Sequence, residues 1–207
     1  AYFIFSVFGV IIVATFVPSL TEQQLLKERA AALHSEATLI SDTYATELYA
    51  NETSLEQVKE QLDYLSVYLE STIQIINPSG RVVLDTDTAL DVEKVVTIEN
   101  FDPTVTGSSY YMVGNFFEFL NDEFLSVIVP IAADYKVKGY VAIHMNMSHI
   151  EESCQDLVNI SYITLAILLF LSLIIFFFFS EIVYIPLKKL THATEQYATG
   201  NMHYEFT

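Results

Sequence analysis

Two long apolar runs bracket a patterned polar middle. Residues 1–17 and residues 157–180 carry no charge and are dominated by Ile, Leu, Val and Phe. A hydrocarbon core roughly 30 Å thick is crossed by about 20 apolar helical residues. The second run satisfies this, and the first supplies 17 residues before Pro18. The pattern predicts two transmembrane helices, 1–17 and 157–180. The first run begins without Met or a basic flank, so we read it as truncated at its N-terminus. A signal peptide is the alternative, but the run is long for one and no small-x-small cleavage site precedes the polar segment.

Residues 18–156 alternate between helical and strand periods. Leu26, Ala30, Leu33, Ala37, Ile40 and Tyr44 fall at spacings of four and three. This predicts a helix continuing past Pro18, with a short heptad seam that packs either on a core or against a second copy. Thr53 and Glu56 have capping-box spacing, and Leu55, Val58, Leu62, Leu65 and Leu69 form an apolar stripe, so a second helix is expected to end near Ser71. The period then changes to that of strands. Residues 73–77 and 81–85 flank Pro78-Ser79-Gly80, a tight-turn sequence, and predict a hairpin. Residues 86–107 read as a long loop with one short helix. Strands are expected at 110–113, 116–120, 123–131 and 140–147, with turns at Asn121-Asp122 and 134–139. From Ser148 a helix is expected to run into the second apolar stretch. The fold class implied is α+β, an antiparallel sheet with long N-terminal helices, flanked by two transmembrane helices.

Charge orients this arrangement. Lys188 and Lys189 follow the second run, which marks the cytoplasmic side. The expected domains are therefore a first membrane helix at 1–17, an extracellular domain at 18–156, a second membrane helix at 157–180 and a cytoplasmic segment at 181–207. From Thr21 to Asp156 there are 23 acidic and 7 basic residues, a net charge of −16. Such a surface excludes nucleic acid as a partner, since phosphate binding needs basic residues. Cys154 is the sole cysteine, so no disulfide framework exists within one chain. The sequons at Asn51, Asn146 and Asn159 matter only in a secretory context.

Two segments carry a family resemblance. Ile73-Gln-Ile-Ile-Asn-Pro-Ser-Gly-Arg-Val-Val-Leu-Asp-Thr86 resembles the first hairpin of extracytoplasmic PAS-like, or Cache, sensor domains. Phe124-Leu-Ser-Val-Ile-Val-Pro-Ile131 and Gly139-Tyr-Val-Ala-Ile143 resemble their closing strands. In the tail, Pro186, Leu187, Leu190 and Ala193, then Gly200 and Met202, resemble the first helix and glycine turn of a HAMP linker. The resemblance implies the sensing and signalling part of a two-component sensor histidine kinase. It implies a homodimer in the lipid bilayer, with Pro186, Leu187, Leu190 and Gly200 in the signal relay. A chemoreceptor or cyclic-dinucleotide enzyme shares this layout, and an outer domain that binds a partner protein is a further alternative. The resemblance implies an output module that residues 1–207 are not expected to contain. ATP, Mg and a response regulator are expected only for an absent kinase module, and the segment itself is expected to hold no cofactor.

The residues offer no catalytic constellation: no nucleophile elbow, no His-x-x-x-His and no paired cysteines. His144, on an expected strand, can contact a ligand, sense pH or simply be bonded in place. Asp85, Asp87 and Asp91 alternate as oxygen ligands for a hard cation do, though without the glycine and terminal Glu of a calcium loop. The resemblance places an extracellular small molecule between the sheet and the long loop. The residues it implies there are Tyr110, Tyr111, Asn115, Glu118 and His144.

Overall fold

The computed structural model describes residues 2–49, 53–89, 96–104, 110–133 and 135–198. The chain divides into two compact units. One is Phe16–Asp156; the other combines Ala1–Thr15 with Leu157–Thr207.

Helix α1 runs over Tyr2–Ile40, and Pro18 lies inside it. Its end widens into a π-helical turn, Ser41–Ala45, followed by the short α2, Thr46–Tyr49. The turn is pinned from outside, because the Ser41 hydroxyl donates to the Pro130 carbonyl at 3.0 Å. Helix α3 covers Leu55–Leu69. Its capping box lies one residue later than the spacing of Thr53 and Glu56 suggested: Ser54 is the N-cap and exchanges bonds with Gln57. The physical reason is that the Thr53 hydroxyl is taken by the Glu47 carboxylate. Glu70 closes the helix in a left-handed conformation.

Five strands form one antiparallel sheet in the order β2-β1-β5-β4-β3. They are β1 (Thr72–Ile76), β2 (Val82–Asp85), β3 (Tyr111–Gly114), β4 (Phe124–Ala133) and β5 (Lys136–Asn146). The expected hairpin is β1–β2. Asn77 builds its turn by accepting bonds on Oδ1 from the Ser79 amide, the Ser79 hydroxyl and the Arg81 amide. Two expectations need correction. Strand β5 starts at Lys136 rather than at 140, because Ala133 and Lys136 already pair. Residues 116–120 are not a strand: Phe116, Phe117 and Glu118 have φ of 42°, 56° and 58°, a left-handed turn. The Phe119 and Leu120 amides close it on the carbonyls of Phe116 and Asn115. Apolar residues on both sides of Glu118 give these five residues no clean two-residue alternation, and here they fold back to bury Phe116.

Side-chain alternation gives the sheet two unlike faces. One packs Ile73, Ile75, Leu125, Val127, Val141 and Ile143 against Ala30, Leu33, Ala37 and Ile40 of α1 and Val58 and Leu62 of α3. The seam read from α1 therefore meets the domain core. The opposite face carries a smaller cluster of Ile76, Ile98, Phe116 and Ala142, rimmed by Phe101, Met112 and Phe117. Residues 96–98 lie beside β2, with a bridge from Thr97 to Arg81. The rest of the expected 86–107 loop lies partly outside the described residues.

After β5, α4 covers Met147–Phe179 and so runs from the first unit into the second; a π-helical turn then covers Ser180–Tyr184, and α5 covers Ile185–Ala198. Over Met147–Glu195 these form one helix long and apolar enough to cross a membrane, and none of its most apolar stretch is buried. Residues 1–17 are helical from Tyr2 onward.

Candidate functional site

On the face away from α1 and α3, polar side chains are buried where strand alternation alone would place apolar ones. Gln74 of β1, Ser126 of β4 and His144 of β5 are almost completely shielded from solvent. The register brings them together, since His144 is opposite both Thr72 and Ser126, and Gln74 is opposite both Asp85 and Ala142. His144 Nδ1 lies 2.8 Å from the Ser126 hydroxyl. The Phe116 ring stands 4.3 Å from the imidazole, and Phe124 lies 6.4 Å away. Burial without a counter-charge holds the His144 pKa down to about 3, so the ring is neutral at ordinary pH. Its Nε2 has no hydrogen-bond partner. Gln74 donates from Nε2 to Asp85 Oδ2 at 2.9 Å, and its Oε1 also lacks a partner. Burial raises the Asp85 pKa, opposed by the bonds from the Asp87 amide and Gln74. Two unpartnered atoms on one buried face are unusual, because leaving such a group unsatisfied costs about 1–3 kcal/mol.

An open cavity of about 290 Å³ reaches this strip at the end of the sheet where α3 hands over to β1 and β5 to α4. His144, Thr72, Thr86, Asp87, Phe124 and Asn146 are among the residues that line it. A cleft of about 630 Å³ lies nearby, between α1, the end of α3 and the start of α4, with Arg29, Glu36, Tyr68 and Asp156 in its wall. Glu70 and His149 border both spaces, 3.7 Å apart.

The five residues suggested for ligand contact are not gathered in one place. His144 is on the buried strip. Tyr111 is opposite Val127 and packs on the α1 side of the sheet. Tyr110 stacks near it and near His34 of α1, at ring distances of 5.5 and 5.2 Å. Asn115 and Glu118 are exposed at the left-handed turn. Of the three aspartates, Asp85 accepts from Gln74 and from the Asp87 amide, Asp87 is exposed, and Asp91 lies outside the described residues. Among the described residues, no group of three His, Cys, Asp or Glu is placed to hold a metal ion. Pro186, Leu187 and Leu190 lie on α5, with both leucines exposed, and Gly200 is outside the described residues. Sequence reasoning missed Gln74 and Ser126, and placed Phe116 among the core aromatics, where it lies. The available signal was a lone polar residue inside each of two apolar strands.

An antiparallel five-stranded sheet with long helices packed on one face is a fold that this chain shares with a solved extracellular domain. In particular, the chain is similar to the extracellular domain of the putative histidine kinase vpHK1S-Z8, with 10% identity over 72% of this chain and 62% of that one and a TM-score of 0.52. Weaker likenesses are to the V. cholerae histidine kinase DctB sensor domain (16% identity, 64% and 57% covered, TM-score 0.46) and to the Campylobacter jejuni chemoreceptor Tlp3 sensory domain with isoleucine bound (14%, 74% and 64%, 0.49). The chain spans less than two thirds of the length of each of these structures. No protein-family model matches the chain, and no curated protein matches it.

Proposed function

We propose that this chain is the sensing and transmembrane portion of a signalling receptor, of the sensor histidine kinase kind, that detects a small extracytoplasmic solute. The observation that carries the reading is His144: a buried, neutral imidazole with an unpartnered Nε2 in a sensor-domain fold, on the strand that passes directly into α4. A ligand that prefers one arrangement of this strand and helix shifts the population of that arrangement. The shift then passes through residues 157–180 to the HAMP-like segment from Pro186, and in the full-length protein to a kinase module and its response regulator. Two copies of the chain in the bilayer supply the parallel helices that such a relay needs.

The test is a solute screen on the whole chain in lipid nanodiscs, read by melting temperature. A ligand of the native state alone raises it saturably by linkage. The reading expects one chemical class to do so. A well-folded sample that no solute stabilises overturns it. A second reading, recognition of a partner protein, is favoured by the strip of Tyr64, Val67 and Tyr68 on α3, whose side chains are 73%, 79% and 82% exposed. Binding lost on Tyr68→Glu would support that alternative.

A further inference from the structure

Helix α3 turns Tyr64, Val67 and Tyr68 away from the sheet, one helical turn apart on a single face and largely exposed. Together they offer roughly 400–500 Å² of side chain, most of it apolar, and a bare patch of that size on a soluble surface is often a binding site. The stripe runs directly into the cleft of about 630 Å³, because Tyr68 also forms part of its wall. That wall sets the carboxylates of Glu36, Glu70, Glu152 and Asp156 against the guanidinium of Arg29 and against His149, which already faces Glu70. With His149 neutral, three negative charges are in excess. Earlier on α3, Glu56 and Glu60 are exposed, while Lys59 is held by Asp63 at 2.6 Å. The charge around the stripe decides what can dock there. A second copy would set the same acidic face against itself in a two-fold contact, with a net charge of −16 on each domain. Anionic lipid headgroups are repelled for the same reason. A stable pair of folded proteins buries about 800 Å² on each partner, well above what the stripe offers. A short helix with apolar side chains on one face and basic ones on the other matches both halves of this surface. The Tyr68 ring, at the mouth of the cleft, adds a face that attracts a cation.

We propose that the outer face of α3 and the adjoining cleft bind a short cationic amphipathic peptide. Its apolar side chains sit on Tyr64, Val67 and Tyr68, and a basic side chain enters the cleft among Glu36, Glu152 and Asp156. The inference goes beyond the solute reading and does not rest on it. The position is suited to signalling, because such a peptide touches the end of α3 and the first turns of α4 together.

The experiment uses the whole chain in phosphatidylcholine nanodiscs, with the signal of empty nanodiscs subtracted, and fluorescein-labelled peptides of about 12 residues, roughly 18 Å long as helices. One peptide carries leucine on one face and lysine on the other. In a second, glutamine replaces every lysine, and in a third, glutamate does. Fluorescence anisotropy is expected to show saturable binding of the lysine peptide that weakens as salt is raised. The glutamine peptide is expected to bind at least about tenfold more weakly, and the glutamate peptide not at all. Tyr68→Ala and Glu152→Gln, both at exposed positions, are each expected to weaken the lysine peptide by about five- to tenfold while leaving the melting temperature of the free chain in place. Equal binding of the glutamine or glutamate peptide overturns the proposal. So does lysine-peptide binding that neither substitution weakens, or none beyond that of empty nanodiscs. If Tyr68→Glu converts a dimer of the chain into a monomer in native mass spectrometry, the stripe belongs to a second copy and the proposal is likewise overturned. If the lysine peptide binds while no solute stabilises the chain, the solute reading fails and this inference stands. If a solute stabilises the chain while the peptide does not bind, the outcome is the reverse.

Discussion

Gly80 shows how far a single position can be constrained. Its φ is 82°, and a Cβ there would sit 2.8 Å from the Ile98 carbonyl and 2.9 Å from Phe101 Cβ. The Ile98 amide also bonds the Gly80 carbonyl. Gly80→Ala is therefore expected to lower unfolding free energy by about 1–3 kcal/mol, measured by urea denaturation. The reverse case is Glu118, held at φ 58° and exposed. Glu118→Gly relieves left-handed strain, less the extra entropy glycine has when unfolded. It is expected to raise stability by about 0.5–1 kcal/mol in the same assay. His144 sets a pH dependence. Between the ordinary value of 6.5 and the folded value of about 3, the unfolded chain takes up a proton that the native state refuses. Its contribution is thus intact above 6.5 and is lost as pH falls through that window. Asp85 acts in the opposite sense, its raised pKa favouring the native state below 3.8 and less so as pH rises through the folded value. The unfolding free energy of His144→Gln is expected to fall less between pH 6.5 and 4 than that of the parent chain.

At the scale of elements, much of the chain reads directly from spacing. The stripe on α3 and the seam on α1 are local periodicities, and both occupy the core face of the sheet. The β1–β2 hairpin follows from Asn77-Pro78-Ser79-Gly80, whose bonds are made within the turn. The cap of α3 was displaced by one residue because Thr53 is drawn to Glu47, on the preceding helix. This difference is measurable. Ser54→Ala removes the bond to the Gln57 amide and is expected to cost about 1 kcal/mol, whereas Thr53→Ala is expected to cost less than half of that in parallel melts. Residues 116–120 could not be read correctly as an element, since only packing of Phe116 against the His144 face selects their left-handed turn.

For the molecule as a whole, one long helix over Met147–Glu195 continues from the last strand of the sheet. Its apolar middle is largely exposed, a surface suited to a hydrocarbon environment. An arginine at the centre of such a span costs about 2.5–3.5 kcal/mol of insertion free energy. Leu169→Arg is accordingly expected to reduce the fraction of chain that resists alkaline extraction from membranes. Retention at the parent level would remove the spanning assignment of residues 157–180.

The division between the two sources of information follows the range of the interactions. Helix stripes, the apolar run at 157–180, the Asn-Pro-Ser-Gly turn and the acidic surface are written in contiguous residues, so the sequence by itself determined the α+β class and the order of most elements. The candidate site was not legible in that way. Tyr110 and Tyr111 look like neighbours of His144 in a list of strands, yet strand register puts Tyr111 on the opposite face. Gln74 and Ser126 look like incidental polar residues until β1, β4 and β5 pair and bury them beside His144. Only the tertiary structure could decide this. Which side chains share a buried face depends on pairings between residues as far as 72 positions apart, such as Thr72 with His144, and no local period encodes them.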